Sequence, residues 1–427
     1  MTFKEALNYL EFVRERGTKL SLENIQIIVD NLPISLNNIK FIQVAGTNGK
    51  GSTSHYLTSI LKESGFIVGM FTSPHLQNLR ERITINKEWI TESDFANSLN
   101  KVKNICEKLL KNKIIEESPT YFEHMFLSSL FYFYKKKVSF AIMEVGLGGR
   151  LDATSTLLPM VSVITNISYD HTKTLGRKLG LIATEKAGII KRGVPVVCSC
   201  NTRTVANRII KKIASEKFSP FYNTFDNNNK ITFKEESDFY SASYLSVKRK
   251  YDFRVFMNGN HQVGNAATAI KVIEVLENKG INIPIKSIVS GIEKNSVPGR
   301  IEVFHSNKGI IIDGGHNEES IKALSQYLKE KRKNDLTLIF GVLRDKKYKK
   351  MIKYLIPHIE NVIVTEPVSP RALSAEVLEK AFLPIKTIIH KNLRSALEEA
   401  LSFNKEVLIT GSLYLAGEMR NLVTGGL

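Results

Sequence analysis

Short apolar segments alternate with longer segments of helical spacing through the first half of this 427-residue chain. The apolar segments are rich in β-branched and aromatic residues, whereas the segments between them repeat apolar residues every three to four positions. After a helical lead-in of about 40 residues, this alternation predicts a doubly wound α/β sheet with mostly parallel strands. The predicted strands are residues 41–44, 66–71, 138–144, 161–167 and 194–199.

Residues 217–258 interrupt the alternation. A polar turn, Asp226-Asn-Asn-Asn-Lys230, separates segments 230–234 and 242–247, which are predicted to be antiparallel strands. Residues 259–291 return to a helical pattern. We therefore expect a small antiparallel addition to the first domain.

The segment Ser296-Val-Pro-Gly299 is the best candidate for a domain boundary, because Pro and Gly end the preceding helical pattern. It divides the chain into a domain of residues 1–297 and a smaller one of residues 298–427. The second domain repeats the strand–helix alternation and is predicted to be a Rossmann-like α/β domain. Its predicted strands are residues 309–312, 336–340, 362–364, 387–389 and 407–409.

Composition adds few constraints. Apolar residues make up 43% and charged residues 24% of the chain, as in ordinary globular proteins, and no apolar run reaches membrane-spanning length. The net charge of +18 is compatible with a nucleic-acid partner or an anionic substrate, but scattered lysines favour a generally lysine-rich composition. Cys106, Cys198 and Cys200 form neither a disulfide framework nor a zinc pattern, which favours a reducing cytoplasm.

The segment Val44 to Thr53, VAGTNGKGST, joins a predicted strand to a predicted helix through a glycine-rich loop. Such a P-loop lets backbone N–H groups and a helix N-terminus converge on phosphate oxygens. Lys50 is expected to reach the β- and γ-phosphates. The common pattern has a first glycine where this chain has Val44, and Gly51 separates Lys50 from Ser52. A phosphate site is still the best interpretation.

Polar residues follow the other predicted strands, and the carboxyl ends of parallel strands lie at one edge of a sheet. Ser73 follows the second strand, and its hydroxyl is a ligand type for hard cations. Glu144 directly follows a buried strand, where a Mg²⁺ ligand is needed beside a phosphate loop. We expect either His171 or Asp170 to complete the metal site.

Lys186 lies on a predicted short helix fifteen residues later. Its ammonium either neutralises phosphate charge, or its neutral amine, which burial favours, is carbamylated by CO₂ and supports Mg²⁺ as a carboxylate. The sequence leaves both alternatives open. Further polar strand ends and loops, at residues 259–265, 300, 313–317 and 410–414, indicate a single site in the cleft between the domains.

Ten short motifs occur in order along the chain: GTNGKGS (46–52), TSPHL (72–76), ERI (81–83), YFE (121–123), EVGLGGRLDAT (144–154), DH (170–171), EKAG (185–188), PGR (298–300), DGGHN (313–317) and TGSLY (410–414). This set resembles the folylpolyglutamate synthase/dihydrofolate synthase family of Mur-ligase relatives, over nearly the whole chain. The first motif and DGGHN are shared with other Mur-type ligases, whereas TSPHL, ERI and EVGLGGRLDAT are more specific to the folate branch.

The resemblance implies roles for residues that match the motifs. Residues that would contact ATP are Gly49, Lys50, Gly51, Ser52, Asn265, Arg300 and Asp313. Residues that would bind Mg²⁺ are Ser73, Glu144 and His171, with Lys186 carbamylated. Residues that would border the pterin-bearing substrate are Thr120, Tyr121, Phe122, Glu123, Leu151, Asp152 and Ala153, and those that would face glutamate are His316, Ser412 and Tyr414. The implied catalytic set is Lys50, Glu144, His171, Lys186, Arg300 and His316.

The implied reaction adds L-glutamate to dihydropteroate, or to the γ-carboxylate of reduced folates, through an acyl phosphate. Folylpolyglutamate synthase activity alone is an alternative, as is Mur-type ligation of another acceptor. A cell-wall Mur ligase would need a UDP-binding domain before the phosphate loop, where only about 45 residues lie. A nucleic-acid-stimulated ATPase and a non-catalytic nucleotide-binding module are the rivals from other classes.

The expected cofactors are ATP, two Mg²⁺ ions, carbamylated Lys186 and a K⁺ ion. The expected partners are small molecules, with neither nucleic acid nor a membrane involved. The resemblance implies a cytoplasmic monomer.

Overall fold

An eight-stranded sheet organises the N-terminal part of the chain. The computed structural model describes residues 1–15, 21–305 and 309–425. The central strand is β1, and five of its six residues are buried. The strand order is β4-β3-β2-β5-β1-β6-β7-β8, and the pairs from β2 to β8 are parallel. The strands are β1 (Lys40–Ala45), β2 (Val68–Phe71), β3 (Ile83–Ile85), β4 (Glu88–Trp89), β5 (Phe140–Glu144), β6 (Val161–Ile164), β7 (Val196–Cys198) and β8 (Phe221–Asn223).

Helices cover both faces of this sheet. Helix α3 is almost wholly buried and packs against α9 and α10, whereas α4 and α5 pack together with α1 over a second core. The helices of this part are α1 (Phe3–Glu15), α2 (Glu23–Asp30), α3 (Lys50–Glu63), α4 (Glu92–Lys111), α5 (Tyr121–Lys135), α6 (Thr172–Leu175), α7 (Leu179–Ala187), α8 (Val205–Glu216), α9 (His261–Glu277) and α10 (Ile285–Glu293), with 3₁₀ turns at Leu79–Arg82 and Ala153–Thr156.

A separate three-stranded antiparallel sheet is inserted between β8 and α9. Its strands, in the order β11-β10-β9, are β9 (Lys230–Glu235), β10 (Tyr240–Leu245) and β11 (Lys250–Val255). Alternate residues of β10 and β11 are buried against α9, which gives these strands a period of two. The predicted antiparallel addition is confirmed, but β11 was not predicted, and β10 ends at Leu245 because Ser246 begins the turn to Arg249.

A six-stranded sheet, in the order β12-β13-β17-β14-β15-β16, organises the C-terminal part. Only its edge strand β12 runs antiparallel to its neighbour within the described residues. The strands are β12 (Glu302–Phe304), β13 (Ile310–Ile312), β14 (Leu336–Phe340), β15 (Ile359–Val364), β16 (Thr387–Ile389) and β17 (Val407–Thr410). The helices are α11 (Glu318–Glu330), α12 (Tyr348–Leu355), α13 (Ala375–Ala381), α14 (Leu393–Ser402) and α15 (Leu413–Thr424), with a 3₁₀ turn at Ile356–His358. The predicted Rossmann-like arrangement is confirmed.

The predicted strands of both large sheets are present, but four short strands that pair with other strands of these sheets were not predicted. Strands β3, β4, β8 and β12 contain only two or three residues each, too few to show a hydrophobic period. The predicted helical stretch 259–291 is two helices, because Gly280 at φ +83° and Pro284 separate α9 from α10. In the part of the chain that the structure describes, no helix combines the length and apolar character needed to cross a membrane.

Helices α3 and α10 approach each other closely at Gly291. A Cβ at Gly291 of α10 would lie 2.5 Å from the Ile60 Cα and 2.7 Å from the Ile60 N of α3. Backbone atoms cannot move aside as a side chain does, so Gly291→Ala must push the two helices apart. We expect a loss of about 2 kcal/mol in the free energy of unfolding, measured by urea denaturation. Lys286→Ala, on the exposed side of the same helix, should stay within about 0.5 kcal/mol of the wild type. Equal stability of the two variants would contradict the close contact.

Candidate active site between the two sheets

The glycine-rich loop between β1 and α3 folds back on the side chain of Lys50. Gly46 has no room for a Cβ, which would lie 1.8 Å from the Thr165 Oγ, and Gly49 has a φ of +83° at the start of α3. The Lys50 Nζ donates to the carbonyl oxygens of Gly46 and Thr47, both at 3.2 Å. The loop therefore concentrates a helix N-terminus and an ammonium group at one point.

A second lysine reaches the same loop. The Lys186 Nζ, carried by α7, donates to the Gly46 carbonyl oxygen at 2.7 Å and is buried. Burial and the positive charge of Lys50 lower the pKa of Lys186 to about 7. Two lysines on one carbonyl oxygen form a strongly anion-attracting site, and Lys186 has access to its neutral amine near physiological pH.

Glu144 lies beside the loop because β1 and β5 are paired in parallel, with Val44 opposite Glu144. A Cβ at Gly51 would lie 3.8 Å from the Glu144 Oε2, which also accepts the backbone N–H of Ser73 at 3.4 Å. Burial raises the pKa of Glu144, although the charge of Lys50 opposes the effect. A buried carboxylate with such a long hydrogen bond keeps lone pairs available for a hard cation.

His171 follows β6 and lies on the same cavity. Its side chain is partly exposed to the cleft, but the surrounding protein still lowers the pKa of His171 to about 4 by desolvation, against the charge of Asp170. It is therefore a neutral imidazole, the form that binds metals. Ser73, Glu144 and His171 are thus compatible with Mg²⁺, although among the described residues no cluster of three or more His, Cys, Asp or Glu side chains is arranged to hold a metal ion.

Asp170 has another partner. Its Oδ1 accepts a hydrogen bond from the Lys346 Nζ at 2.6 Å, and its Oδ2 accepts one from the Asn317 Nδ2 at 3.2 Å. Burial alone would raise the pKa of Asp170, but the His316 contact and the charge of Lys346 hold it well below its ordinary value. Both residues that the sequence left open as metal ligands line the cavity, and the contacts of Asp170 with Lys346 and Asn317 favour His171 as the ligand.

The C-terminal sheet contributes the opposite wall of the site. Asp313 is buried and accepts the backbone N–H groups of Ile301 at 3.0 Å and Gly315 at 2.9 Å, so it holds the Arg300 segment beside the DGGHN loop. Burial raises the pKa of Asp313, with the charge of Arg300 in opposition. The His316 Nδ1 lies 3.1 Å from the Gly314 carbonyl oxygen, which assigns the proton to that nitrogen.

These groups share one cavity of about 630 Å³ between the two sheets, a volume typical of small-molecule sites. The structure brings together twelve of the predicted residues on its walls. They are Gly49, Lys50, Gly51, Ser52, Ser73, Glu144, His171, Lys186, Asn265, Arg300, Asp313 and His316.

Two protein-family models match the chain, one over its N-terminal part and one over its C-terminal part. The Mur ligase middle domain model matches residues 44–273, and the Mur ligase glutamate ligase domain model matches residues 299–413. The chain is 33% identical to the dihydrofolate synthase/folylpolyglutamate synthase of Bacillus subtilis, with 98% of each chain covered. It belongs to the Mur ligase family, in the folylpolyglutamate synthase/dihydrofolate synthase group.

Solved structures of this group superpose over the whole chain. The Mycobacterium tuberculosis folylpolyglutamate synthase complexed with ADP has a TM-score of 0.91 at 27% identity, covering 98% of each chain. The E. coli FolC in complex with DHPP and ADP has a TM-score of 0.88 at 26% identity, covering 100% of this chain and 98% of that one. The fold predicted from the sequence is therefore the fold of this family.

The residues predicted to border the acceptor lie outside the cavity wall, one layer behind it. Thr120 and Glu123 form the capping box of α5. The Phe122 ring packs on Gly146, where a Cβ would lie 2.6 Å from it, and Asp152 accepts the N–H groups of Gly146 and Leu147 at 2.9 and 3.1 Å. Gly146 and Leu147 themselves line the cavity. The predicted residues Tyr121, Leu151 and Ala153 are neighbours of these positions and are not on the wall.

Of the three residues predicted to face glutamate, one lies on the cavity wall and two lie beside it. His316 lines the cavity, whereas Ser412 and Tyr414 flank Leu413, which does. The Ser412 Oγ accepts the Tyr414 N–H at 3.2 Å and caps α15. The structure therefore places these two residues beside the cavity wall.

Sequence reasoning missed an apolar part of the wall. Phe225, in the segment before the antiparallel sheet, and Ile231 and Phe233, on its strand β9, line the cavity together with Asn265. The Phe225 ring lies 3.3 Å from the position a Cβ would take at Gly264, one residue before Asn265. An available signal was the presence of Phe225, Ile231 and Phe233 in the otherwise polar segment 225–235.

Burial of Glu144 generates a prediction about stability and function. Its raised folded-state pKa means that the stability it contributes is present at low pH and is lost as pH rises through that pKa. At pH 7, Glu144→Gln should therefore raise the melting temperature of the nucleotide-free protein by about 2 °C, and the gain should shrink toward pH 4. The same variant should lose ATP turnover. Glu116→Gln, on an exposed loop, is the matched control and should change neither quantity.

Proposed function

We propose that this chain is an ATP-dependent ligase that joins L-glutamate to dihydropteroate, to the γ-carboxylate of reduced folates, or to both. The observation that carries the proposal is the shared cavity, in which a phosphate loop with two lysines faces Arg300 and His316 of the C-terminal sheet. Family membership and the relative described with DHPP and ADP support the same substrate class.

The chemistry of the reaction explains why cations surround the loop. A carboxylate is a poor electrophile because its leaving group would be oxide. Transfer of the ATP γ-phosphoryl group gives an acyl phosphate, which the amino group of glutamate attacks with loss of phosphate. In this mechanism Lys50 and Arg300 neutralise phosphate charge, and the two walls exclude water that would hydrolyse the intermediate. No covalent protein nucleophile is required.

Each part of the nucleotide has a matching surface. The phosphates lie at Gly49 to Ser52, and the base lies against the apolar wall of Phe225 and Phe233, next to Asn265. Ser73, Glu144 and His171 would hold Mg²⁺, which would supply positive charge beside the phosphates. The second Mg²⁺ and the K⁺ implied by the resemblance stay predictions. His316, Ser412 and Tyr414 face the incoming glutamate, and the loops that contain Thr120–Glu123 and Leu151–Ala153 border the acceptor.

Further properties are proposed with this activity. The domains are residues 1–297 and 298–427, and the enzyme is a monomer that acts on small molecules without nucleic acid or a membrane. The three free, buried thiols of Cys106, Cys198 and Cys200 support a cytoplasmic location. Light scattering of the purified chain tests the oligomeric state.

The activity is tested by ATP-dependent incorporation of labelled L-glutamate with dihydropteroate, with a reduced folate and with a UDP-linked acceptor in parallel. We expect incorporation with the first, the second or both, and none with the third. Lys50→Ala should reduce it by about 10²–10³-fold, because a charge-neutralising group is lost at the phosphate. Lys62→Ala, at the exposed end of the same helix, should keep wild-type activity. No incorporation with either pterin acceptor would reject the assignment, and incorporation with only the folate would reduce it to folylpolyglutamate synthase.

Carbamylation of Lys186 is proposed because its amine is buried and has a pKa near 7. CO₂ adds to the neutral amine, forms an N–C bond and releases a proton, so the modified side chain is a carboxylate. We expect the enzyme to lose activity when CO₂ is removed near pH 6 and to regain it with bicarbonate near pH 8, where the amine is neutral. Lys186→Arg keeps a cation but cannot be carbamylated, and it should be inactive at both pH values. An active Lys186→Arg enzyme with no response to bicarbonate would refute carbamylation.

A further inference from the structure

A cluster of polar side chains to which the proposed chemistry assigns no role crosses the cleft at the cavity, and two of its members, Asn48 and Asp170, line the cavity wall. Asn48 and Asp170 come from the N-terminal sheet, and Asn317 and Lys346 come from the C-terminal sheet. The contacts between them are direct hydrogen bonds or ion pairs within 3.3 Å. These four residues are called the cross-cleft cluster below.

The first contact ties the phosphate loop to the C-terminal sheet. The Asn317 Nδ2 donates to the Asn48 Oδ1 at 2.9 Å, and the Asn48 Nδ2 donates to the Asn317 Oδ1 at 3.3 Å. Each partner is fixed on its own side. The Asn48 N–H donates to the Asn166 Oδ1 at 2.7 Å, and Asn317 caps α11 by accepting the Ser320 N–H at 2.9 Å. A movement of α11 relative to the loop therefore breaks this pair.

The second contact is a buried ion pair. The side chains of Asp170 and Lys346 are only 10% and 7% exposed, and their charged atoms are 2.6 Å apart. Such a pair contributes little net stability, but removing one partner leaves the other charge buried and uncompensated. Separation of the two sheets returns both charges to water, so a single neutral substitution favours the separated arrangement.

Asp170 also links the cluster to the glutamate-facing side of the cavity. Its Oδ2 lies 3.6 Å from the His316 Nε2 and accepts a hydrogen bond from Asn317, the residue that follows His316. The Lys347 ammonium lies over the Tyr169 ring at 5.0 Å, one residue along from the ion pair on both sides. The position of His316 relative to the phosphate loop is thus set by contacts that span the cleft.

We propose that the cross-cleft cluster positions the glutamate-binding side of the site against the phosphate loop during the amide-forming step. The four members are positioning residues, since none is assigned a contact with a reacting group. The inference rests on the proposed ligase function and assigns the cluster to capture of the acyl phosphate by glutamate. Its loss should leave the nucleotide site intact and let water compete with glutamate.

The test compares Lys346→Met with Lys350→Met in the full-length protein. Both remove a lysine charge from the same segment, but Lys350 is 57% exposed and pairs with Glu318 of its own domain. For Lys346→Met we expect kcat/KM for glutamate to fall about tenfold, with ADP affinity within about twofold of the wild type. The ratio of ADP released to amide formed should rise above the wild-type ratio. Lys350→Met should match the wild type in all three quantities.

A pairwise readout separates positioning from a general loss of structure. If Asp170 and Lys346 act as a pair, the double variant Asp170→Asn/Lys346→Met should lose less kcat/KM for glutamate than the two single variants lose together. Asn317→Ser keeps a hydroxyl that can cap α11 but removes the hydrogen bonds between the Asn317 and Asn48 side chains. This variant should also raise the ratio of ADP released to amide formed. This variant decides the question if Lys346→Met does not fold. The proposal would be overturned by an unchanged ratio of ADP released to amide formed, or by a loss of ADP affinity as large as the loss of kcat/KM for glutamate.

A structural readout keeps the two proposals distinguishable. Small-angle scattering of the ADP-bound protein should give a larger radius of gyration for Lys346→Met than for the wild type and Lys350→Met. If the wild type forms no amide with any acceptor, the ligase assignment and the inferred role in glutamate capture both fail, whereas the scattering still shows whether the cluster holds the sheets together. Identical scattering of the three proteins would refute the cluster as a cross-cleft contact.

Discussion

The parallel pairing of β1 with β5 and β6 is the constraint on which the site depends. The register places Val44 opposite Glu144 and Ala45 opposite Ile164, so the loops after all three strands begin at one edge of the sheet. Three elements that are far apart along the chain then converge: the phosphate loop, the Glu144 carboxylate and the Asp170–His171 segment. A shift of one residue would turn each strand-end side chain to the other face. These strands are buried along almost their whole length, and they fix that register by packing against helices on both faces.

This constraint explains how much of the site could be predicted from the sequence. Glu144 and Ser73 were predicted as neighbours because each follows a clear apolar segment, and strand ends of a parallel sheet meet. The structure brings them within 3.4 Å. Lys186 was singled out from the sequence as a residue near the phosphates, but its pattern left open whether an ammonium or a carbamylated amine acts there, and only the resemblance implied carbamylation. The pattern therefore predicted which residues gather near the phosphates, and the resemblance supplied the role of each.

Contacts across the cleft could not be predicted, because they depend on how two separately specified sheets are placed together. The pairing of Asp170 with Lys346, 176 residues away along the chain, is one case. The apolar wall of Phe225 and Phe233 is another, because a half-exposed phenylalanine on a strand is normal at a protein surface. Edge strands such as β4, with two residues, are defined by their partner rather than by their own sequence.

Burial of the charged groups of the site lowers the folding stability of the ligand-free protein. Glu144 has a raised pKa, so its ionised form opposes folding at neutral pH. Lys186, with a folded pKa of about 7, binds fewer protons in the folded than in the unfolded protein up to the ordinary lysine value, so its contribution to stability rises with pH across that interval. A cation beside Glu144 would relieve the first penalty, and the proposed carbamylation, which replaces the buried ammonium of Lys186, would relieve the second. Ligand binding is therefore coupled to folding stability through the same charges that the chemistry needs.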